Sequence, residues 1–169
     1  ISGFCTGTET EHRAALASQT IFGETRGTAL HGYTNGTYPT AVTANDCYLI
    51  TYYDNYDWSG QSAVAYSSVD TVGEAKNDNV IGQITGTKTK VLGIVSHQWL
   101  LSATYFDKKY RSVQSVSQLY PSGLEIVSNA YDFTGQVTRA KVKQTVGALV
   151  TEYNKYFTYD QQGRLVKID

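Results

Sequence analysis

The chain has 169 residues, with 14 Lys and Arg against 15 Asp and Glu, so its net charge is −1. It lacks the basic excess of a nucleic-acid-binding surface, and no apolar run approaches the roughly 20 residues of a transmembrane helix. Hydrophobic residues make up 41% of the chain and 14 Tyr outnumber 5 Phe, which favours sheets with large amphipathic side chains over packed helices. The chain starts at Ile1 and contains no Met, so we expect a processed or excised piece of a longer protein. The absence of an opening signal segment then says nothing about the compartment of the parent.

The N-terminal part is predicted to hold one short helix and a long loop. Residues 1–7 read as extended chain. Thr8 and Glu11 have the spacing of a capping box ahead of an Ala-rich run, which predicts a helix over about residues 9–20. Residues 21–43 are rich in Gly, Thr and Asn, and this composition predicts a loop with one short strand near Tyr33.

The rest of the chain is predicted to be strands. The predicted strands are 47–53, 83–92, 100–106, 153–159 and 165–168, and residues 67–80 read as a surface loop. No Pro- or Ser-rich linker interrupts the sequence. We therefore expect a single domain over residues 1–169, divided into a helix and long loop (1–45), a degenerate repeat region (46–100) and a regular repeat region (101–169).

A short phrase recurs in the second half: an aromatic residue, Asp, two further residues, Gly or a substitute, and usually Arg. The copies begin at Phe106-Asp107, Tyr131-Asp132 and Tyr159-Asp160, with a more degenerate one at Tyr53-Asp54. The successive Asp residues of the three clear copies lie 25 and 28 residues apart. Repeats with a period of roughly 20–50 residues are typical of arrays in which each unit packs on its neighbours.

Each copy is predicted to be a β-hairpin. An Asp at the start of a turn accepts a backbone N–H two residues later, and a Gly three residues later allows the left-handed conformation that closes it. The predicted turn residues are Asp107, Asp132, Gly135, Asp160, Gly163 and Arg164. Tyr110 stands at the Gly position of the first copy, so that turn is either strained or differently built. Arg111 and Arg164 are expected to pair with a neighbouring hairpin's carboxylate or to stack on a Tyr.

The string Tyr159-Asp160-Gln161-Gln162-Gly163-Arg164-Leu165 resembles the signature of YD repeats, the units of the RHS (rearrangement hot spot) family. Residues 51–57 and 131–135 are similar to segments of large RHS-repeat proteins of Bacteroidetes-type bacteria, and residues 31–39 fit the same region. The chain departs from the family pattern at Tyr110, which replaces the turn Gly, and at Gln136, which replaces the turn Arg. It also contains neither a self-cleaving core nor a toxin tail.

The resemblance implies an all-β fold: an array of antiparallel β-hairpins forming a curved open sheet, with one short N-terminal helix. It implies a structural segment of a large secreted or cell-surface bacterial protein, contributing wall to a β-sheet shell around a C-terminal toxin or effector. The expected partners are neighbouring repeats of the parent protein and the enclosed toxin segment. An isolated segment is expected to self-associate through its strand edges.

The sequence offers little for catalysis. His12, His31 and His97 are far apart and lack the spacing of metal ligands, and Asp54 with Asp57 supplies too few oxygens for calcium. We therefore predict no enzymatic activity, no cofactor and no metal.

The two cysteines, Cys5 and Cys47, lack metal-type spacing. Two partly buried thiols are favoured over one disulfide, since unpaired Cys is among the most buried residue types.

Aromatic side chains are the one indication of a ligand. Tyr56, Trp58 and Tyr156 are candidates for stacking on sugar rings, which makes a carbohydrate-binding module with an exposed Tyr/Trp sheet face the alternative function. The competing interpretation, which we favour, is that these rings fill the space between successive hairpins.

Overall fold

The computed structural model describes residues 7–39, 42–93 and 98–169. Cys5, His97 and most of the predicted extended segment 1–7 lie outside the described residues. The chain divides into two compact units, residues 1–50 and 51–169. The organisation of the chain as a single domain stays a prediction.

The first unit contains the predicted helix, α1 (Glu9–Ala17). The capping box is confirmed, because Thr8 Oγ1 accepts the N–H of Glu11 while the Glu11 carboxylate accepts the N–H of Thr8. The helix ends three residues before the predicted residue 20. A 3₁₀ helix follows at Leu30–Gly32, and the strand expected near Tyr33 is a single antiparallel bridge between Arg26 and Tyr33.

Eight strands of the described residues make one sheet in which every strand lies beside its neighbour in sequence. They are β1 (Leu49–Asp54), β2 (Val80–Lys90), β3 (Trp99–Phe106), β4 (Ser112–Gln118), β5 (Leu124–Tyr131), β6 (Val137–Val146), β7 (Leu149–Tyr159) and β8 (Leu165–Ile168). The pairs from β2 to β8 are all antiparallel. This confirms the predicted all-β array of hairpins with one short N-terminal helix.

The three predicted repeat hairpins are β3–β4, β5–β6 and β7–β8, and all have the same irregularity. Beside each turn the register shifts, so that Val113, Thr138 and Val166 are extra residues on the returning strand. A β-bulge of this kind bends the strand and increases its local twist. The recurrence of one bulge at one position shows that the repeat in the sequence is also a repeat in the structure.

A covering segment, residues 56–71, packs on one face of the sheet. It contains two 3₁₀ helices, Gln61–Val64 and Ser68–Asp70. The Tyr105 hydroxyl donates to the carbonyl of Val64 over 2.8 Å, and the Gln114 amide both accepts from the N–H and donates to the carbonyl of Ser67. The core therefore lies between this segment and strands β2 to β6.

The covering segment is also held by buried charge. Asp70 is 4% exposed and accepts from Lys141 Nζ at 3.2 Å and Lys143 Nζ at 3.1 Å. Burial alone would raise the pKa of Asp70, but the hydrogen bonds from Ser67 and the two ammonium groups hold the pKa below its ordinary value. The carboxylate thus joins the segment to β6.

Candidate functional site: the stacked hairpin turns

The three repeat turns share one construction around their Asp carboxylate. In the first turn, Asp107 Oδ1 accepts the N–H of Lys109 at 2.8 Å and of Arg111 at 3.0 Å. In the last, Asp160 Oδ1 accepts the N–H groups two and four residues on, both at 2.9 Å. Asp132 makes the same pair of bonds, also at 2.9 Å. The sequence analysis predicts that a turn Asp accepts the backbone N–H two residues later, and all three turns confirm it.

The residue at the Gly position is left-handed in every turn. Its φ is 59° at Tyr110, 93° at Gly135 and 78° at Gly163. The turn at Tyr110 is therefore built like the other two. Its backbone is strained, because a Tyr adopts a left-handed conformation that favours Gly.

The turn arginines pair with their own turn. Arg111 Nε lies 2.6 Å from Asp107 Oδ2, and Arg164 Nε lies 2.7 Å from Asp160 Oδ2. The carboxylate that Arg164 pairs with is therefore that of its own turn, four residues away, and not that of a neighbouring hairpin as expected. Arg111 does contact the next hairpin, since its guanidinium lies over the ring of Tyr131, 4.8 Å from the centroid. It also lies 3.2 Å from the Glu74 carboxylate.

Hydrogen bonds within each turn lower the pKa of its Asp carboxyl. Burial by itself would raise the pKa of Asp107, but the N–H of Arg111, its guanidinium and the N–H of Lys109 hold the pKa below its ordinary value. At Asp160 the N–H of Arg164 is the largest cause of a lowered pKa. Each turn acid is thus an ionised acceptor whose hydrogen bonds lie mainly within its own turn.

Successive turns are joined by two kinds of hydrogen bond. In the first kind, the side chain at the turn's last position reaches the backbone of the next turn: Arg111 Nη1 donates to the carbonyl of Asp132 at 3.0 Å, and Gln136 Nε2 donates to the carbonyl of Gly163 at 2.9 Å. Gln136, which departs from the Arg of the family pattern, also bonds the backbone of the next turn, but at its Gly position where Arg111 bonds the Asp position.

In the second kind, the Tyr of the repeat phrase reaches back to the preceding hairpin. Tyr131 Oη donates to the carbonyl of Ser112 at 2.8 Å, and Tyr159 Oη donates to the carbonyl of Val137 at 2.9 Å. Ser112 and Val137 are equivalent residues, since each follows the last position of its turn. We call the two kinds of bond together the turn ladder; sequence reasoning assigned no contact to the Tyr hydroxyl.

The last hairpin differs from the first in exposure. The side chain of Arg111 is 14% exposed, whereas that of Arg164 is 77% exposed. The bulge residue Val113 is fully buried, whereas Val166 is 60% exposed. Other exposed apolar residues of β7 and β8 are Leu149, Val150, Tyr153, Tyr156, Leu165 and Ile168. The β8 end of the sheet is thus apolar and accessible.

A cleft of about 650 Å³ lies between the last two turns. Its aromatic lining is Phe133, Phe157 and Tyr159, and Thr134 and Gln162 contribute polar groups. Phe133 is 90% exposed. Flat apolar rings beside hydrogen-bonding side chains suit a ligand with one apolar face and polar edges.

The three residues predicted to stack on glycans have different environments. Trp58 lacks the exposed face that the alternative function requires and is packed, as the favoured interpretation expects: its ring is 6% exposed, stacks on Tyr52 with centroids 4.8 Å apart, and packs against Gly86. Tyr56 is half-buried, accepts the N–H of Phe106 at 3.0 Å, and has its pKa raised by burial to about 12. Tyr156 is exposed on β7.

The remaining polar candidates have structural contacts. The imidazole of His12 bonds the hydroxyl of Tyr38, and His31 lies in the first 3₁₀ helix. Asp54 accepts the N–H of Gly82 at 2.7 Å, and the Cys47 thiol donates to the carbonyl of Thr43. Within residues 7–39, 42–93 and 98–169, no three His, Cys, Asp or Glu side chains group as a metal site would require. No helix in the same ranges combines the length and apolarity needed to cross a membrane.

Glu24 is a structural centre that sequence reasoning missed. Its carboxylate accepts the hydroxyl of Thr34 at 2.5 Å, the hydroxyl and N–H of Thr37 at 2.5 and 2.7 Å, and the N–H of Gly36 at 3.2 Å. These bonds, of which that from the Thr34 hydroxyl has the largest effect, lower the pKa of Glu24 to about 2. The partners lie 10 to 13 residues away, beyond the range of a local motif.

Comparisons of the chain with protein-family models, with curated proteins and with solved structures find no match.

Proposed function

We propose that this chain is a structural segment of a large exported bacterial RHS/YD-repeat protein, where it contributes wall to a β-sheet shell around a C-terminal toxin or effector. The observation that supports the proposal is the turn ladder. In the two steps from one turn to the next, the Tyr hydroxyls bond equivalent carbonyls. The side chain at the last position bonds a backbone carbonyl of the next turn in both steps, at the Asp position for Arg111 and at the Gly position for Gln136.

The use of the polar side chains supports the same proposal. The turn carboxylates accept the N–H groups of their own turns, and the side chains after them join one turn to the next. Side chains used in this way hold hairpins in register, which is what a repeat array requires of each unit. The partners of this segment are neighbouring repeats of the parent protein and the enclosed C-terminal segment, and the parent is secreted or displayed at the cell surface.

The open edge of β8 allows a direct test of edge pairing. Asp169 and Tyr156 exchange both backbone hydrogen bonds at 3.0 Å. Because the direction of backbone groups alternates along a strand, the N–H of Ile168 points away from β7 toward the open edge. An Ile168→Pro change removes this donor, whereas Ile168→Ala removes a similar apolar side chain and keeps the donor.

We expect the mass of the isolated chain, measured by light scattering, to rise with protein concentration. Ile168→Pro should lower this association at least tenfold, and Ile168→Ala should associate nearly as the unchanged chain does. A chain that stays monomeric at high concentration, or two variants that behave alike, would contradict edge-to-edge pairing.

A second candidate function, carbohydrate binding, is favoured by the aromatic cleft and the exposure of Phe133. Stacking of a sugar ring on a side chain that is 90% exposed requires no rearrangement of the sheet. A panel of oligosaccharides titrated by NMR should shift amides of the last two turns. Phe133→Ala should weaken binding about tenfold, while Phe22→Ala, at a ring that is 81% exposed in the other unit, should not. Equal effects of the two changes would exclude the cleft.

A further inference from the structure

The turn ladder has a direction, and β8 is the last strand in that direction among the described residues. Each turn bonds to the next through its last side chain, and each Tyr bonds back to the carbonyl that follows the preceding turn. In the third turn the equivalent side chain is Arg164 and the equivalent carbonyl is that of Leu165. Among the described residues, the Arg164 side chain bonds only Asp160 of its own turn.

The two equivalent arginines show what a following hairpin changes. Arg111 makes its own ion pair and, through Nη1, a bond of 3.0 Å to the next turn. Arg164 makes the ion pair through Nε, and its side chain is 77% exposed. The ion pair within the turn orients the guanidinium, so its remaining donors are held in place for a partner.

The edge strand has the complementary backbone group. The N–H of Ile168 faces the open edge, as derived from the bonds between Asp169 and Tyr156. The apolar side chains of Val166 and Ile168 are 60% and 55% exposed. A strand added here would gain backbone hydrogen bonds, would cover apolar surface and would receive the guanidinium at its turn.

We propose that the β8 edge and Arg164 form a docking surface for one further hairpin that carries the same aromatic-Asp turn, placed so that its Tyr hydroxyl bonds the carbonyl of Leu165 and Arg164 bonds its turn backbone. The inference rests on the proposed function and goes beyond it, because it specifies the partner's sequence and register. The occupant is a hairpin of this repeat type, because the second and third turns of this chain present a Tyr hydroxyl and a backbone carbonyl to the preceding hairpin in this way.

The test extends the chain by one repeat. Since Leu165 corresponds to Val137, Asp169 corresponds to Lys141. A second copy of residues 142–169 appended after Asp169 therefore continues the repeat in register. Hydrogen exchange followed by NMR reads the N–H of Ile168, with the N–H of Val116 in the middle of the sheet as an internal reference.

In the extended chain we expect the Ile168 N–H to exchange about 100-fold more slowly, because it becomes part of an internal strand pair. Arg164→Ala in the extended chain should speed this exchange about tenfold, the effect of one lost hydrogen bond to a charged donor. The same change in the unextended chain serves as the control, since it removes the ion pair with Asp160 but no contact to another hairpin. Replacing the appended Tyr by Phe should also speed exchange, without altering the Asp–Arg pair.

The possible outcomes distinguish failure of the inference from failure of the proposed function. If the Ile168 N–H exchanges slowly and neither substitution changes its rate, the turn ladder is not needed for docking and the inference is overturned. The hairpin would then still pair with the edge of β8, and the proposed function would stand. Exchange as fast as in the unextended chain, with the Val116 N–H still protected, would overturn both. Protection that appears only as concentration rises would show that a second copy, rather than the tethered hairpin, occupies the edge, and would overturn the inference alone.

Discussion

Replacing Asp107 by Asn would separate the two tasks that the carboxylate performs in its turn. Oδ1 accepts two backbone N–H groups, at 2.8 and 3.0 Å, and the Asn oxygen can keep both bonds. Oδ2 accepts from the Arg111 guanidinium at 2.6 Å, and the Asn amide would place a second donor against that group. The substitution therefore keeps the turn bonds and removes the ion pair.

The magnitude follows from burial. The Asp107 side chain is fully buried and that of Arg111 is 14% exposed. Breaking a buried ion pair by changing one partner destabilises a protein by about 3–5 kcal/mol. In the variant, the Glu74 carboxylate, 3.2 Å from Arg111, still compensates part of the charge of the guanidinium. We therefore expect the free energy of unfolding to fall by about 2–4 kcal/mol. The matched control is Asp160→Asn, in which the same pair is exposed at Arg164; solvent screens that pair, so the expected loss is much smaller than at Asp107.

Urea unfolding followed by circular dichroism measures both losses, and pH provides a second measurement. The folded pKa of Asp107 lies below its ordinary value of 3.8. Its stabilising contribution is therefore complete above that value and is lost as the pH falls below it through the folded pKa. Asp107→Asn should remove this part of the acid dependence. Equal destabilisation by the two substitutions would refute the reasoning, because it would show that burial of the first turn does not strengthen its ion pair.

Three further predictions concern other parts of the chain. Gly86→Ala places a Cβ well under 3.0 Å from the indole ring of Trp58, so urea unfolding should show a loss of about 1–3 kcal/mol; Gly23→Ala, where a Cβ meets nothing within 4 Å, should change little, and equal losses would contradict this packing. Tyr110→Gly relieves a side chain at φ 59° and should raise stability by about 0.5–1 kcal/mol; a decrease would show that the ring contributes more than the strain removes. The pKa of Glu24 is lowered to about 2 from 4.5, so its loop contacts should be complete above pH 4.5 and should be lost toward pH 2, as an NMR titration of the Thr37 amide would show; a midpoint near 4.5 would contradict the carboxylate's hydrogen bonds.

The turns were predictable from sequence because they are local. An Asp and the backbone N–H that it accepts are two residues apart, and a Gly or its substitute closes the same short loop. The capping box of α1 is equally local, with Thr8 and Glu11 three residues apart. The extent of the edge strand also followed from the sequence: β8 covers Leu165–Ile168 as predicted.

The environment of Trp58 could not be predicted in this way. Its burial depends on the path of the covering segment over β2, 28 residues further along the chain at Gly86. The same holds for Asp70, whose lysine partner Lys143 lies 73 residues away. Contacts of this separation follow from strand register and from which face of the sheet the segment covers, and neither appears in a local pattern.

The sequence by itself determined that this chain forms a run of antiparallel hairpins with Asp-centred turns, because turn chemistry and strand composition act within a few residues. Only the tertiary structure decided how the hairpins are joined. Arg111 and Tyr131 reach across 21 and 19 residues to backbone carbonyls of adjacent hairpins, and a carbonyl has no sequence signature. Its availability to a side chain depends on where neighbouring strands place it in space.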